Sequence, residues 1–464
     1  MAALPVELSA SIPNDVRTLC SRLAEAGCRS WIVGGCTRDL LLGRAAHDWD
    51  IATDARPEQV MHLFKRVIPT GIQHGTVTVI VGSASYEVTT LRGEGAYSDG
   101  RHPDRVAFVT DLHEDLARRD FTVNAIAFDP LACTLHDPFA GIADLDARLL
   151  RAVGKPEERF NEDGLRVLRA ARFAATLGFA VEPATLAAIP SALETLRKVS
   201  MERVRDELFK TLVAPKPSVG LQLMLDTGIL GVVLADLVPM AGCTQNKYHA
   251  HDVWMHTMHC VDACANDLVL RLAALLHDVG KPAVRALGEK TNDWTFYEHE
   301  QHGARMADTI CAVLKTSNEQ RARVVHLVRQ HLVLFDHDWS DSAVRRWVQR
   351  AGAAQVADVL ALARADASGK GTDPGPMFER IEALRLRVDA LAAEGMALTV
   401  RDLVVGGRDL IVELGVTPGP MIGRTLDHLL ELVIDEPEAN ERSRLIVEAK
   451  AYVASNSAAG SAPE

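Results

Sequence analysis

Val16, Leu19, Leu23 and Ala26 share one face at helical spacing and predict a helix over 13–28. "SWIVGG" is a short apolar run ending in two glycines, the pattern of a strand entering a tight turn. "TRDLLLG" then reads as a short helix closed by Gly43. β-Branched content and alternation make strands of "HDWDIAT", "TVTVIVGSASYEVTTL" and "FTVNAIAFD". The polar, Gly-rich stretch 92–105 between them is a loop. From about residue 156 the period changes to that of helices and stays so to about 455, apart from an irregular stretch at 284–298 and a connection at 369–377. "SNSAAGSAPE" at the end is small and polar, which predicts disorder. No internal repeat is evident. The pattern predicts an α+β fold: a small mixed-sheet head over 1–150, then a large all-α region.

At 464 residues the length predicts about three domains, and 48% hydrophobic residues are enough to bury cores in each. The formal net charge of −12 argues against a surface coated for nucleic acid. It leaves room for a local basic face, and residues 165–216 carry nine Lys/Arg against five Asp/Glu. The eight cysteines are scattered with no CxxC pair. Cys260 and Cys264 read as small buried hydrophobes of a reduced compartment. Without a signal pattern or an apolar run of ~20 residues, a cytoplasmic protein with no membrane partner is expected.

Asp48 and Asp50 flank Trp49. On a strand the two carboxylates face one way and the indole the other, so Trp49 anchors while both acids reach one site. Such a pair suits Mg²⁺ and, with nucleotide phosphates, a two-metal site ~3.5–4 Å across. Glu87, between Tyr86 and Val88, is the best third carboxylate. A lone D-x-D is more often a solvated strand end. Here Gly34 and Gly35 precede it between strand and helix, where bare backbone can approach phosphate, and Arg38 follows one turn later.

"GG-x-x-RD-L-L-G … HD-x-D-IAT" resembles the nucleotidyltransferase head of bacterial CCA-adding enzymes (tRNA nucleotidyltransferases) and the related poly(A) polymerases. Thr37 stands where that family usually has Val, at a position expected to pack. "RRDFTVNA" resembles a second family motif and implies that Arg119, Asp120 and Asn124 meet the triphosphate and ribose. Asp163, Arg166, Arg169 and Arg172 recur every three residues as a winding helical stripe, which alone would suit a salt-bridged face. A fixed Asp and Arg have a sharper use. Cytosine and adenine offer an amine donor beside a ring-nitrogen acceptor; uracil and guanine offer the reverse. Glu162-Asp163-Gly164-Leu165-Arg166 matches the family's base-selecting E-D-x-x-R motif, leaving Arg169 and Arg172 as triphosphate or structural partners. The resemblance implies template-independent addition of CCA to the 3′ end of tRNA from CTP and ATP. A-only addition is the near alternative. "GEGAYSDGRHPDRVAF" keeps the loop that CC-only enzymes lack, and the acidic pI suits poly(A) synthesis less.

Two His-Asp pairs lie further on. His277-Asp278 resembles the HD phosphohydrolase signature, with His256 upstream and His299, His331 and Asp366 in the family's later order. His302 competes with His299, Asp341 competes with Asp366, and His251-Asp252 reads as a decoy. Imidazoles with carboxylate favour a transition metal (Mn, Fe, Ni or Co). A metal-dependent phosphohydrolase whose head only binds nucleotide is thus the rival from another class, and a non-enzymatic tRNA-binding protein the plain one. The expected division is a head (1–150), a helical neck for nucleotide selection and RNA binding (151–240), an HD domain (241–370), a C-terminal tRNA-binding helical region (371–455) and a tail (456–464). The resemblance spans about 30–453. Monomer and homodimer both remain open.

Overall fold

The computed structural model describes residues 5–46, 48–93, 107–395 and 397–459. The chain divides into two compact units: Met1–Val238 with Val313–Lys315, and Pro239–Ala312 with Thr316–Glu464. Neck residues 151–238 therefore fold with the head.

The first unit is built on a seven-stranded sheet: β1 (Ser30–Val33), β2 (Asp50–Thr53), β3 (Val67–Gly71), β4 (Thr76–Val81), β5 (Ala84–Thr90), β6 (Ala127–Asp129) and β7 (Thr134–His136). Their order is β3-β4-β5-β2-β1-β6-β7, and β2 with β5 is the parallel pair. All four β1 side chains are buried, as expected of a central strand covered on both faces. Trp31, Val33, Ala52, Leu91, Leu116 and Ala127 pack into one core cluster of this unit.

Several boundaries differ from expectation. The first long helix is Asn14–Glu25; Val16, Leu19 and Leu23 are buried, but Ala26 is its exposed C-cap. β2 begins only at Asp50, so Asp48 lies in a bend before it. The 76–90 stretch folds back at Gly82 (φ 61°) into a hairpin. "FTVNAIAFD" is strand only from Ala127. Its first half is a 3₁₀ turn, Thr122–Asn124, whose side chains bond Asp144 (2.6 Å) and Asp120 (3.0 Å). The helix Arg442–Ala459 runs into the segment expected to be disordered, and residues 460–464 lie outside the described residues. So do 94–106, most of the predicted loop.

From the first unit's neck come the helices Pro156–Glu162, Leu165–Leu177 and Met201–Leu212. Gly164 joins the first two. Its φ of −57° is ordinary; what demands glycine is space. A Cβ there would lie 2.4 Å from the Leu196 amide nitrogen and 2.5 Å from the Thr195 carbonyl carbon.

The second unit is almost wholly helical, with a two-residue hairpin (Ala286–Leu287 with Trp294–Thr295) inside the stretch read as irregular. Its C-terminal helices close over Leu403, Leu410, Leu429, Val433, Ile434 and Leu445. Among the described residues no helix is long and apolar enough to cross a membrane.

Gly164→Ala is expected to cost about 2 kcal/mol or more, because backbone must move to admit the methyl. Gly231→Ala, in the helix Ile229–Val233 with nothing within 4 Å, should be neutral or mildly stabilising. Urea denaturation of the two variants measures the difference.

Candidate active site

One cavity of about 690 Å³ in the first unit gathers Gly34, Gly35, Arg38, Asp48, Asp50, Glu87, Arg119, Asp120, Asn124, Asp163, Arg166, Arg169 and Arg172. These are all the residues the sequence assigns to nucleotide and Mg²⁺.

Its acidic wall follows from strand register. Asp50 and Glu87 are direct partners across the parallel β2–β5 ladder, so their side chains leave the same face. Tyr86 and Val88 point into the core, as does Trp49. Asp48 reaches the cavity from the bend rather than from a strand. Burial pushes the Asp50 carboxyl up to about 6, with Glu87 and Asp48 adding to the shift and Arg119 opposing it. Three hard-oxygen donors that repel one another at one opening fit a divalent cation such as Mg²⁺.

Gly34 turns from β1 into the helix Gly35–Leu41 with φ 78°. A Cβ would also lie 2.9 Å from Arg119 Nη1 and 3.5 Å from Asp50 Oδ2, so glycine is required on two counts. Thr37 does pack: it is 1% exposed, and its hydroxyl donates to the Ile32 carbonyl at 3.0 Å, which satisfies the one group that valine lacks. Arg38 Nη1 donates to Asn124 Oδ1 (2.8 Å), and its Nε to Asp39 (2.9 Å).

The basic wall is held by counter-charges. Arg169 Nε donates to Asp120 Oδ2 at 2.6 Å, and Asn124 Nδ2 to Asp120 Oδ1 at 3.0 Å. Burial alone would raise the Asp120 carboxyl, but Arg169 and Asn124 outweigh it and hold it well below the usual range. Arg172 pairs with the buried Glu207 at 2.6 Å. The guanidinium carbons of Arg172, Arg169 and Arg38 lie 4.0, 5.2 and 5.2 Å from the centre of the Phe173 ring. Arg166 donates to Glu162 (2.6 Å), the Arg159 carbonyl (2.7 Å) and the Arg118 carbonyl (2.8 Å). Asp163 is not on the helical stripe. It precedes the helix Leu165–Leu177, where its Oδ1 accepts from the Leu165 amide (3.0 Å), and it pairs with Arg203 at 2.7 Å.

Sequence reasoning missed Arg203, Glu207, Phe173 and Asp115, the last a buried partner of Arg119 at 3.4 Å. A buried acid was the available signal. Glu207 follows Arg203 by one helical turn in "MERVRDELFK", with Val204 and Leu208 on the apolar side.

The second unit holds the histidine–aspartate cluster. His256, His277, Asp278, His299 and His331 are buried and Asp366 half-buried. Two donor groups form, His256/Cys260/His277/Asp366 and Asp278/His299/His331. His277, His299 and His331 each turn Nδ1 to a carbonyl at 2.7 Å, which makes Nε2 the lone-pair nitrogen. Yet His299 and His331 point their Nε2 atoms at each other at 3.2 Å, and so do His256 and His277. Nε2 atoms facing at this distance can share a proton or ligate one metal ion. Asp278 and Asp366 push His277 up to about 10 against its burial, whereas burial pushes His331 down to about 3 and lowers His299. Of the competing residues, His302 contacts Arg305 at 3.4 Å and exposed Asp341 pairs with Arg387 at 2.6 Å. Asp252 caps the helix Val253–Ala263, accepting from the Met255 amide, and His251 lies tilted against His259, ring centres 4.9 Å apart. Cys260 is buried as expected, but its Sγ lies 3.5 Å from His256 Nε2 and belongs to the donor set.

Fold and site together define a nucleotidyltransferase of the polymerase-head class. The Poly A polymerase head domain matches residues 30–151, "Probable RNA and SrmB- binding site of polymerase A" matches 178–240, and tRNA nucleotidyltransferase domain 2 matches 286–449. The chain is 36% identical over 439 residues to the CCA-adding enzyme of Levilactobacillus brevis, covering 93% of this chain and 96% of that one. It is 33% identical over 446 residues to that of Lactiplantibacillus plantarum, covering 96% and 97%. Among solved structures, the Bacillus stearothermophilus CCA-adding enzyme in complex with CTP superposes with a TM-score of 0.72 at 29% identity, covering 96% of this chain and 99% of that one. The chain belongs to the family of bacterial CCA-adding enzymes and poly(A) polymerases.

Asp50 binds its proton more tightly folded than unfolded, so its contribution to stability is lost as pH rises from 3.8 to about 6. In EDTA, Asp50→Asn should therefore melt above the wild type at pH 7–8, with the gap closing below pH 4. An equal gap at every pH would contradict the raised carboxyl.

Proposed function

We propose that this protein adds CCA to the 3′ end of tRNA, using CTP and ATP without a nucleic-acid template. The observation that carries the reading is that an acceptor, Asp163, and a donor, Arg166, share one cavity with the three carboxylates and the arginines.

Asp48 and Asp50, with Glu87 beside them, would hold Mg²⁺, which in this family activates the primer hydroxyl and offsets triphosphate charge. Gly34 leaves bare backbone for phosphate oxygens. Arg38, Arg119, Arg169 and Arg172 supply positive charge and recruit the anion against the carboxylates that now neutralise them. Arg166, held by two carbonyls and Glu162, offers its remaining N–H groups to the ring nitrogen of cytosine or adenine. Asp163 accepts the exocyclic amine. Uracil or guanine would leave both groups facing like partners, which is costly in a closed site. The basic segment 165–216 would meet tRNA through its phosphates.

The second unit supports a further reading of its own. The facing Nε2 pairs, with Asp278 within 3.5 Å of His256, His277 and His299, fit a one- or two-metal centre of Mn, Fe, Ni or Co, the chemistry of phosphate-ester hydrolysis.

Purified protein should extend tRNA ending at the discriminator base, at C and at CC. Extension of the CC end alone would replace this reading with A-only addition. Asp48→Asn and Glu87→Gln should each lower addition at least about 100-fold, the scale of losing one preorganised charge contact. His277→Ala should lower bound transition metal, measured by elemental analysis, while nucleotide addition persists. Unchanged metal content would remove the histidine cluster from consideration.

A further inference from the structure

We infer that a cavity beside the histidine cluster binds a small organic phosphate, with Arg380 and Lys247 as its phosphate-recognising residues. Arg380 comes from a helix beyond residue 370, the expected end of the HD domain. As the pocket that serves the cluster, the cavity rests on the hydrolytic reading proposed above.

The cavity measures about 630 Å³, and pockets for small ligands run to about 300–1,000 Å³. Two stretches of backbone meet to form it. The turn 247–250 precedes the helix Val253–Ala263, and the Ala250 amide donates to the Lys370 carbonyl at 2.9 Å. Gly371, with φ 72°, then passes so close that a Cβ would lie 2.7 Å from both Ala250 Cβ and His251 Nε2. The helix Gly375–Ala393 starts soon after and presents Met377 and Arg380 to the cavity, one turn apart.

The lining is that of an anion site with an apolar flank. Lys247, Lys370 and Arg380 stand against a single carboxylate, Asp373, whose Oδ1 already accepts from the Gly375 amide at 3.0 Å. Such a balance is the reverse of the chain's net charge of −12. Among the described residues Lys247 and Arg380 form no ion pair. Tyr248, 65% exposed, and Met377 supply the apolar flank. The cavity shares a wall with the donor cluster. Lys370 pairs with Asp366 at 3.2 Å, and His249 meets His256 edge-on with ring centres 5.2 Å apart.

A phosphate monoester answers this set. Its dianion takes the planar fork of Arg380 and the point charge of Lys247. Its organic part lies on the Tyr248 ring, which a bare inorganic anion would leave unused. Held so, the ester is next to Asp366 and the other donors.

The test titrates metal-free protein with phenyl phosphate and with inorganic phosphate by calorimetry. Arg380→Gln and Lys247→Gln should each weaken both ligands by about tenfold. Tyr248→Ala should weaken phenyl phosphate by about fivefold and leave inorganic phosphate unchanged. The arginine wall of the first unit also binds phosphate, but equally in every protein compared, so the differences report this cavity. All three side chains are exposed, so their loss does not disturb a core. Protein loaded with Mn, Ni or Co should hydrolyse 4-nitrophenyl phosphate to 4-nitrophenol and phosphate, with KM raised in Arg380→Gln and metal content unchanged. Equal phosphate affinities in wild type and variants overturn the inference. So does a loss of tRNA affinity with phenyl phosphate binding intact, which would turn these cations toward RNA. Binding that depends on Arg380, without hydrolysis by any metal-loaded form, overturns the hydrolytic reading alone and leaves the phosphate site standing.

Discussion

Three guanidiniums over one phenyl ring hold the nucleotide site together. Arg38 belongs to the helix after β1, whereas Arg169 and Arg172 belong to the neck helix, and Phe173 is the surface on which they meet. Bringing three cations so close is unfavourable unless each has a partner. Asp39, Asp120 and Glu207 supply them, and Asn124 links Arg38 to Asp120. Head and neck therefore fold as one unit. A site split between two sequence regions more than a hundred residues apart needs that union: the acidic wall comes from the sheet and the base reader from the neck.

Most of this chemistry was legible in the sequence because it rests on short-range rules. Strand alternation placed Asp50 opposite the buried Trp49, and the same rule placed Glu87 between two core residues. The glycine pair marked its turn. Alternation failed where side chains bond their own neighbourhood. Thr122 and Asn124 turn to Asp144 and Asp120, which converts the start of an apparent strand into a 3₁₀ turn. The three-residue repeat misled at its first member, since one helix ends at Glu162 and the next begins at Leu165, leaving Asp163 between them.

Partners distant in sequence were not legible. Nothing near Asp163 announces Arg203, forty residues on, or Asp115 as the support of Arg119. In the second unit the clustering of the ordered histidines was readable, and Asp252, outside that cluster, caps a helix. Cys260 was not. Its value depends on lying one turn after His256 with the sulfur 3.5 Å from the ring's Nε2, which spacing permits but does not dictate.

The parallel pairing of β2 and β5 also bears on how the chain comes to life. Asp50 and Glu87 adjoin only after the intervening helix Pro57–Leu63 and the hairpin have formed and the crossover has closed. Contacts of this range carry a closure entropy that local turns do not, since the loop must be closed before pairing rewards it. The acidic wall therefore needs residues 50–87 in place, and Asp163 needs residues 195–203, before either has its native neighbours. A chain lacking these pairings holds the motifs without the cavity that brings them together.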